Sequence, residues 1–252
     1  MYNPLDQSGK LILVTGASSG IGRATAVVLS RLGARLILAG RRADALEETR
    51  AATENCAIHL CSTFDLANLN EIPKWVAEVV GIAGAPLDGT VHCAGVASNL
   101  PLKAISAGNI DSIMVPNLHA PLMLLRAVSA RNVVPTAGAS VVLISSAAAL
   151  VALPGLAAYS ASKAALNTVV RCAAKELAPK RIRVNCIAPA YVRTPMLDHA
   201  VDSLTDLEQI KKAQILGLIE PDEIATMAAY LLSGAARSIT GSQFVVDGGF
   251  TL

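Results

Sequence analysis

The chain has 252 residues, of which 53% are hydrophobic and 16% are charged, so it can bury a sizeable core and is not expected to be disordered. Its 21 basic and 19 acidic side chains give a formal net charge of +2, which is too balanced to predict a nucleic-acid partner. The first residues are polar and no apolar stretch is long enough to span a bilayer, so we expect no secretory signal, no membrane segment and a cytoplasmic protein.

Five cysteines occur in the sequence, and no two of them have the C-x-x-C spacing typical of metal and redox sites. The odd number also disfavours a closed disulfide framework. We therefore expect small, buried, reduced thiols and no metal site. The cysteines are Cys56, Cys61, Cys93, Cys172 and Cys186.

Short apolar runs alternate with longer segments of helical character along the chain. Strands are predicted at residues 11–14, 35–39, 57–62, 90–93, 140–144, 182–187 and 243–246. Helices are predicted at residues 22–32, 43–54, 69–80, 109–129, 157–177 and 221–232.

Continuous apolar strands are typical of a parallel sheet that is covered on both faces. The alternation therefore predicts an α/β fold, a doubly wound parallel sheet of about seven strands with helices on both faces, in a single domain over residues 1–252. Residues 191–218 interrupt the rhythm after the sixth predicted strand, and we expect them to form a flap over a substrate site.

A glycine-rich segment, residues 15–22, joins the first predicted strand to the first predicted helix. Glycines permit a tight turn and a close approach of the backbone to a ligand, and a helix N-terminus presents free N–H groups to a pyrophosphate. The segment therefore predicts dinucleotide binding, with a purely structural turn as the alternative. The candidate binding residues are Gly16, Ser18, Ser19, Gly20, Ile21 and Gly22.

The end of the second predicted strand indicates which dinucleotide is bound. Folds that prefer NAD usually place an acidic residue there to bind the ribose hydroxyls, whereas this chain has Gly40 followed by Arg41 and Arg42. Because a guanidinium binds a phosphate with two hydrogen bonds, we predict that the cofactor is NADP(H), with NAD still possible. The alternative is that both arginines cap the next helix or face solvent.

Tyr159 and Lys163 are four residues apart in a predicted helix and so share one face. A nearby ammonium favours the phenolate and lowers the pKa of a tyrosine, which would let Tyr159 exchange a proton with a substrate near neutral pH. Ser146 follows the fifth predicted strand, at the sheet edge where open α/β folds bind ligands, and its hydroxyl could hold the substrate oxygen.

These motifs resemble the short-chain dehydrogenase/reductase family, and the resemblance extends from Thr15 to Gly249. It includes the TGxxxGIG loop, the Tyr-x-x-x-Lys pair and a serine 13 positions before the tyrosine. That spacing selects Ser146 over Ser145 as the family's catalytic serine. By the same resemblance, the family's helical asparagine corresponds to Asn117.

The resemblance implies a role for each of these residues. Tyr159 would be the general acid in reduction and the base in oxidation, while Ser146 orients the substrate oxygen. Lys163 would lower the pKa of Tyr159 and bind the nicotinamide ribose. Asn117 would support a water molecule that links Lys163 to solvent; alternatively, it is a polar residue beside Pro116 that satisfies local backbone groups.

The resemblance also implies further cofactor contacts in the loops that follow the strands. Asp65 and Leu66 would contact the adenine ring, and Ala94 and Gly95 would allow close approach of the cofactor. The nicotinamide carboxamide would be contacted by the segment that contains Pro189, Val192 and Thr194.

Two positions depart from the family's pattern. His92 and Cys93 stand where the family commonly has two asparagines, and we expect a buried histidine bonded to a neighbouring backbone group rather than a catalytic or metal-binding one. Ala190 stands where glycine is frequent, which would add strain of about 1 kcal/mol if the position requires a positive φ.

The candidate walls of the substrate site are mostly apolar, so we expect a small apolar carbonyl compound or alcohol as substrate. They are Ala97, Leu153, Leu156, Tyr191, Met196, Leu197 and His199. Arg193 is a possible anion contact, or a solvent-facing charge. The resemblance extends to the branch containing 3-oxoacyl-carrier-protein reductases, for which Lys180 and Arg181 could meet an acidic carrier; both also suit a helix C-terminus.

The sequence thus predicts an oxidoreductase that interconverts a ketone and a secondary alcohol by hydride transfer. The alternatives are a 3-oxoacyl-carrier-protein reductase and a non-catalytic nucleotide-binding regulator, which the retained Tyr159 and Lys163 disfavour. The resemblance implies a homotetramer or homodimer formed through the fourth and fifth predicted helices. Small residues in the fifth predicted helix permit close approach: Ala157, Ala158, Ala161, Ala164, Ala165, Ala173 and Ala174.

Overall fold

A computed structural model describes residues 3–198, 210 and 212–252. Seven strands form one parallel sheet in the order β3-β2-β1-β4-β5-β6-β7. The strands are β1 (Leu11–Thr15), β2 (Arg35–Gly40), β3 (Leu60–Thr63), β4 (Gly89–His92), β5 (Ala139–Ile144), β6 (Ile182–Pro189) and β7 (Gln243–Val246). The predicted doubly wound α/β sheet in a single domain is confirmed.

Helices cover both faces of the sheet. Among the described residues they are α1 (Gly20–Arg31), α2 (Ala43–Ala51), α3 (Ile72–Ala83), α4 (Ala107–Met114), α5 (Ala120–Val128), α6 (Ala157–Leu177) and α7 (Pro221–Leu232). Ile12 and Val14 pack with side chains of α1 and α7, whereas Leu11 and Leu13 pack with side chains of α3 and α5. Because alternate residues of β1 enter cores on opposite faces, the whole strand is apolar.

Two predicted elements differ from the observed ones. The third strand begins at Leu60 rather than at residue 57, because the left-handed Asn55 (φ 52°) starts a 3-10 turn over Cys56–Ile58. The long helix predicted over residues 109–129 is divided into α4 and α5 by a π-helical turn, Val115–His119. Pro121 has no N–H to donate four residues back, so the regular α-helical bonding cannot continue there.

The cysteines only partly follow the expectation. All five are free thiols, and Cys186 is buried, but Cys56 and Cys172 are exposed, so the expectation of five buried thiols was wrong. Within the described part of the chain, no group of side chains has the composition of a metal site. No described helix is long and apolar enough to cross a membrane.

Candidate active site

The carboxyl ends of the strands open into a cavity of about 600 Å³. Most of the predicted dinucleotide contacts lie together around it: Gly16, Ser18, Ser19, Gly20, Ile21, Gly22, Arg41, Asp65, Leu66, Ala94, Gly95 and Thr194. Arg42 is exposed and precedes α2 as its N-cap residue, outside the described lining of the cavity.

Two glycines shape the loop between β1 and α1. Gly16 has a φ of +69°, and a Cβ there would lie 2.6 Å from the Ala94 nitrogen. A Cβ on Gly22 would overlap the Gly16 carbonyl oxygen. The loop backbone therefore packs directly against the start of α1 and against the segment after β4. Without side chains at these glycines, a ligand can approach the loop backbone closely.

Side chains from α1 and α2 hold this loop from behind. The buried Thr49 hydroxyl donates to the Ala17 carbonyl oxygen at 2.9 Å. Arg23 donates to the Ser18 carbonyl oxygen at 2.9 Å and to the Thr49 hydroxyl at 3.0 Å. Sequence reasoning missed Arg23 and Thr49, because their positions in two helices reveal no pairing until the helices are packed.

The far end of the cavity has a flat apolar wall. Phe64 stacks on Trp75 with ring centroids 4.4 Å apart, and Trp75 lines the cavity with Asp65 and Leu66. The Asp65 carboxylate accepts a hydrogen bond from the Ala67 nitrogen at 3.0 Å, which fixes the turn after β3. The arrangement suits an aromatic base.

Gly40 leaves room beside Ser18. A Cβ at Gly40 would lie 3.6 Å from the Ser18 hydroxyl oxygen and 3.3 Å from Leu46. The absence of a side chain at Gly40 therefore keeps the space between Ser18 and the neighbouring Arg41 accessible from the cavity.

The Asn117 side chain is fully buried in the π-helical turn. Its oxygen accepts from the Val96 nitrogen at 2.9 Å, and its nitrogen donates to the Val96 carbonyl oxygen at 2.9 Å and to the Ser162 hydroxyl at 3.1 Å. The side chain thus satisfies local backbone groups and fixes the segment that follows Gly95.

Tyr159 and Lys163 lie on one face of α6, as expected from their spacing. The Lys163 ammonium is 5.9 Å from the centre of the Tyr159 ring and donates to the Ile144 carbonyl oxygen at 2.8 Å. Burial lowers the pKa of Lys163 to about 8. Burial also raises the pKa of Tyr159, and a hydrogen bond with Ser146 offsets part of this rise. The expectation that Lys163 lowers the pKa of Tyr159 was therefore wrong for this geometry.

The two adjacent serines have different surroundings. Ser146 accepts a hydrogen bond from the Ala148 nitrogen at 3.1 Å and lines a second cavity together with Tyr159. The Ser145 hydroxyl is buried and donates to the Asn167 side-chain oxygen at 2.5 Å. Ser146 is therefore the serine whose hydroxyl is placed beside Tyr159.

The second cavity has a volume of about 180 Å³ and adjoins the first, because Ile21, Cys93 and Thr194 line both. Six of the predicted wall residues line it: Ala97, Leu153, Leu156, Tyr191, Met196 and Leu197. His199 lies outside the described residues. Pro189 and Val192 also line this cavity, as does Phe250, which no motif had singled out.

The buried His92 has a side-chain partner in addition to the backbone interaction with Pro116 that acts on its pKa. Its Nδ1 lies 2.8 Å from the Thr15 hydroxyl, because Thr15 and His92 are register partners in β1 and β4. Burial and the nearby Lys163 charge lower the pKa of His92 to about 3. The histidine is therefore neutral and structural in its contacts.

Two further expectations concern the loop after β6. The backbone at Ala190 does not have a positive φ, so alanine in place of the family's frequent glycine causes no backbone strain there. The Arg193 guanidinium donates to the Glu220 carboxylate at 2.8 Å, and both side chains are exposed. Arg193 is thus a solvent-facing charge.

Lys180 and Arg181 lie far from Tyr159. Tyr159 is in the first turn of α6, while both basic residues follow the last turn of this 21-residue helix, whose length is about 30 Å. The Lys180 ammonium donates to the Ser129 carbonyl oxygen at 2.5 Å. A carrier bound at these residues would not face the cavity.

Comparison with known proteins agrees with this architecture over nearly the whole chain. A family model described as "Enoyl-(Acyl carrier protein) reductase" matches residues 16–251. The chain is 34% identical over 247 residues to the L-xylulose reductase of Caenorhabditis elegans, covering 98% of this chain and 97% of that protein. It is also 34% identical over 249 residues to the 2,5-dichloro-2,5-cyclohexadiene-1,4-diol dehydrogenase of Sphingobium indicum, covering 98% of each.

Solved structures give the same result. The structure of a short-chain type dehydrogenase/reductase from Mycobacterium ulcerans matches with a TM-score of 0.89 at 30% identity, covering 98% of this chain and 91% of that chain.

Proposed function

The chain belongs to the short-chain dehydrogenase/reductase family and is thereby a nicotinamide-dependent oxidoreductase acting on CH–OH groups, and we propose that it interconverts an apolar ketone and its secondary alcohol using NADP(H). The observation that carries this proposal is the pair of adjoining cavities. One has the glycine-rich cradle, and the other places the Tyr159 and Ser146 hydroxyls within apolar walls.

The larger cavity fits a dinucleotide, because its volume is about 600 Å³ and it is lined by the glycine-rich loop at the start of α1, where backbone N–H groups suit a pyrophosphate. Asp65 and Leu66 would hold the adenine, Lys163 the nicotinamide ribose, and Pro189, Val192 and Thr194 the carboxamide. The bound nicotinamide supplies the hydride in reduction.

Tyr159 supplies the proton. The raised pKa of Tyr159 keeps its phenol protonated at neutral pH, which suits donation to a carbonyl oxygen held by Ser146. In oxidation the same oxygen, as the phenolate, accepts the alcohol proton.

The main chain of Asn117 is the candidate for the proton relay, since its side chain is engaged by Val96 and Ser162. Pro121 cannot donate to the Asn117 carbonyl oxygen, so this oxygen lacks the usual α-helical partner, and we propose that it binds a water molecule. The relay would run from this water to Lys163.

Arg41 and Gly40 support NADP(H) over NAD. Arg41 lines the cavity, and Gly40 leaves the adjacent space free of the carboxylate that would bind ribose hydroxyls and repel a 2′-phosphate. The exposed Arg42 adds positive charge at the same edge.

We further propose a homotetramer or homodimer assembled through the α4–α5 segment and α6. The buried face of α6 includes Ser162, Leu166 and Val170, whereas Ala161 and Ala164 are exposed. Small side chains turned outward allow a second helix to approach closely.

Two other functions are less well supported. A carrier-linked 3-oxoacyl substrate does not fit the position of Lys180 and Arg181 at the far end of α6. Small 3-oxoacyl thioesters that are not bound to a carrier still fit the proposed reaction. The relative from Sphingobium indicum is named for a cyclic diol rather than for a carrier-bound substrate. A non-catalytic regulator would have no need for the Tyr159, Ser146 and Lys163 constellation.

The proposal is tested by following NADPH and NADH oxidation with a panel of ketones that includes 3-oxoacyl thioesters, and the reverse reaction with the matching alcohols. We expect NADPH to be preferred. Arg41→Ala should raise KM for NADPH about tenfold to a hundredfold, since a charge-assisted bond to phosphate is lost, with little effect on KM for NADH. Arg31→Ala, an exposed arginine in α1, is the matched control.

Equal use of both cofactors, or a preference for NADH, would overturn the NADP(H) assignment alone. Silence of every ketone and alcohol with both cofactors would overturn the proposed reaction.

A further inference from the structure

Three segments from distant parts of the sequence meet beside the smaller cavity, which Tyr191 and Phe250 line. They are the loop after β6, the segment 214–219 that precedes α7, and the C-terminal residues 247–251. A parallel bridge between Val192 and Ile219 and a hydrogen bond of 2.9 Å from the Leu216 nitrogen to the Gly248 carbonyl oxygen join them.

Gln214 fixes the first of these segments. Its side chain is fully buried and pairs with both backbone groups of Tyr191, accepting from the nitrogen at 2.6 Å and donating to the carbonyl oxygen at 3.2 Å. It also donates to the Gly217 carbonyl oxygen at 2.8 Å. The backbone position of Tyr191 is therefore set by an amide pair like that between two strands.

Asp247 fixes the C-terminal segment. Its carboxylate accepts hydrogen bonds from the Gly249 nitrogen at 3.0 Å, the Thr251 nitrogen at 2.8 Å and the Thr251 hydroxyl at 2.7 Å. This turn directs Phe250 back toward the cavity. The Phe250 ring meets the Tyr191 ring edge to face, with centroids 5.5 Å apart and an interplanar angle of 89°.

Most polar groups on the described lining of the smaller cavity are already engaged. Lys163 donates to Ile144, Ser145 to Asn167 and Thr194 to the Val192 carbonyl oxygen. Among the described lining residues, the hydroxyls of Ser146, Tyr159 and Tyr191 remain, and those of Ser146 and Tyr159 are placed to hold one substrate oxygen. A substrate with several further hydroxyls would leave them poorly hydrogen-bonded against the leucine walls, which costs binding free energy.

We propose that Tyr191 and Phe250 are specificity-determining residues, forming an aromatic wall that selects a ketone or secondary alcohol with a flat ring beside the reacting carbon. This inference rests on the proposed function and names its substrate class. Offset or edge-to-face contact with the wall stabilises a flat ring more than a flexible chain of equal carbon number. The described cavity of about 180 Å³ is of the size that takes one small ring.

The experiment compares two eight-carbon ketones, acetophenone and 2-octanone, in wild type, Phe250→Leu and Leu252→Ala. Leucine keeps the bulk of Phe250 but removes its flat face, while Leu252 is fully exposed and serves as a control for changes at the C-terminus. We expect wild type to favour acetophenone. Phe250→Leu should lower kcat/KM for acetophenone about threefold to tenfold through KM, and alter 2-octanone less than about twofold.

Equal preference in wild type, or equal effects of Phe250→Leu on both ketones, overturns the aromatic wall and leaves the proposed oxidoreductase intact. If neither ketone is reduced, the proposed reaction fails for these ketones. The aromatic wall is then tested separately, by calorimetric measurement of acetophenone binding to the NADPH-loaded protein. Binding that is weakened by Phe250→Leu supports it, and no binding to wild type overturns it.

Discussion

Lys163 is proposed to serve catalysis, but its buried ammonium lowers the free energy of unfolding. It is 4% exposed, and its ammonium is held by the Ile144 carbonyl oxygen. Burial lowers its pKa from 10.5 to about 8, so the folded protein binds this proton less tightly than the unfolded chain does. The resulting loss of stability is fully present below pH 8 and disappears as the pH rises toward the unfolded pKa.

Replacing Lys163 with methionine should therefore stabilise the protein while impairing turnover. Removing the buried charge contributes about 3 kcal/mol, and losing the donor to Ile144 costs about 1 kcal/mol, so we expect a gain of about 2 kcal/mol at pH 7. Denaturant unfolding at pH 7 and at pH 10.5 measures this. The gain should shrink at the higher pH.

The matched control is Lys74→Met, which removes an exposed lysine and should show no comparable dependence on pH. A Lys163→Met protein less stable than wild type at pH 7 would contradict this account of the buried ammonium.

At the residue scale, some of the candidate site could be read from the sequence and some could not. The resemblance to the family's serine-to-tyrosine spacing selected Ser146 over Ser145, and the structure places Ser146 beside Tyr159. Phe250 and Gln214 carry no motif, and their contacts with Tyr191 arise only when the C-terminus returns to the site. The side-chain partner of His92, Thr15, was not predicted because it depends on the register of β1 with β4.

At the element scale, the loop between β1 and α1 requires glycine for two separate reasons, its positive φ at Gly16 and the lack of space for a Cβ. Gly16→Ala should lower the free energy of unfolding by about 1 to 3 kcal/mol and abolish measurable NADPH binding. Gly81→Ala is a contrasting control. Gly81 lies within α3, and a Cβ added there would have no neighbouring atom within 4 Å, so this change should stabilise by about 0.5 to 1 kcal/mol.

Thermal unfolding and NADPH fluorescence titration of both variants make this comparison. A Gly16→Ala protein that binds NADPH like wild type would show that the loop is only a structural turn.

Element boundaries were harder to predict than the elements themselves. Each strand was found from its apolar run, but the start of β3 depends on the left-handed Asn55. The π-helical turn within residues 109–129 was not predicted, because the hydrophobic pattern continues across it. Pro116 and Pro121 were the available signals, since proline removes a backbone donor.

At the scale of the whole molecule, the alternation of strands and helices was enough to predict one parallel sheet, because parallel strands need helical crossovers. The contact between the C-terminal residues and the loop after β6 was not predictable, since it depends on β7 lying next to β6.

The outward-facing alanines of α6 lead to a prediction about assembly. Ala164→Arg should place a long charged side chain in the proposed helix contact and reduce the mass of the particle in sedimentation velocity. Ala51→Arg, an exposed alanine in α2, should leave the mass unchanged. A monomeric wild type, or an Ala164→Arg protein with the mass of wild type, would contradict the proposed assembly.

The central claim is that Tyr159 exchanges the proton with the substrate, and Tyr159→Phe tests it most directly. The change removes one hydroxyl, so the NADPH dissociation constant should remain within about threefold of wild type while kcat for ketone reduction falls by a factor of about 10² to 10⁴. Tyr230→Phe in α7 is the control for a tyrosine outside the site. Turnover by Tyr159→Phe at the wild-type rate would contradict the proposed mechanism.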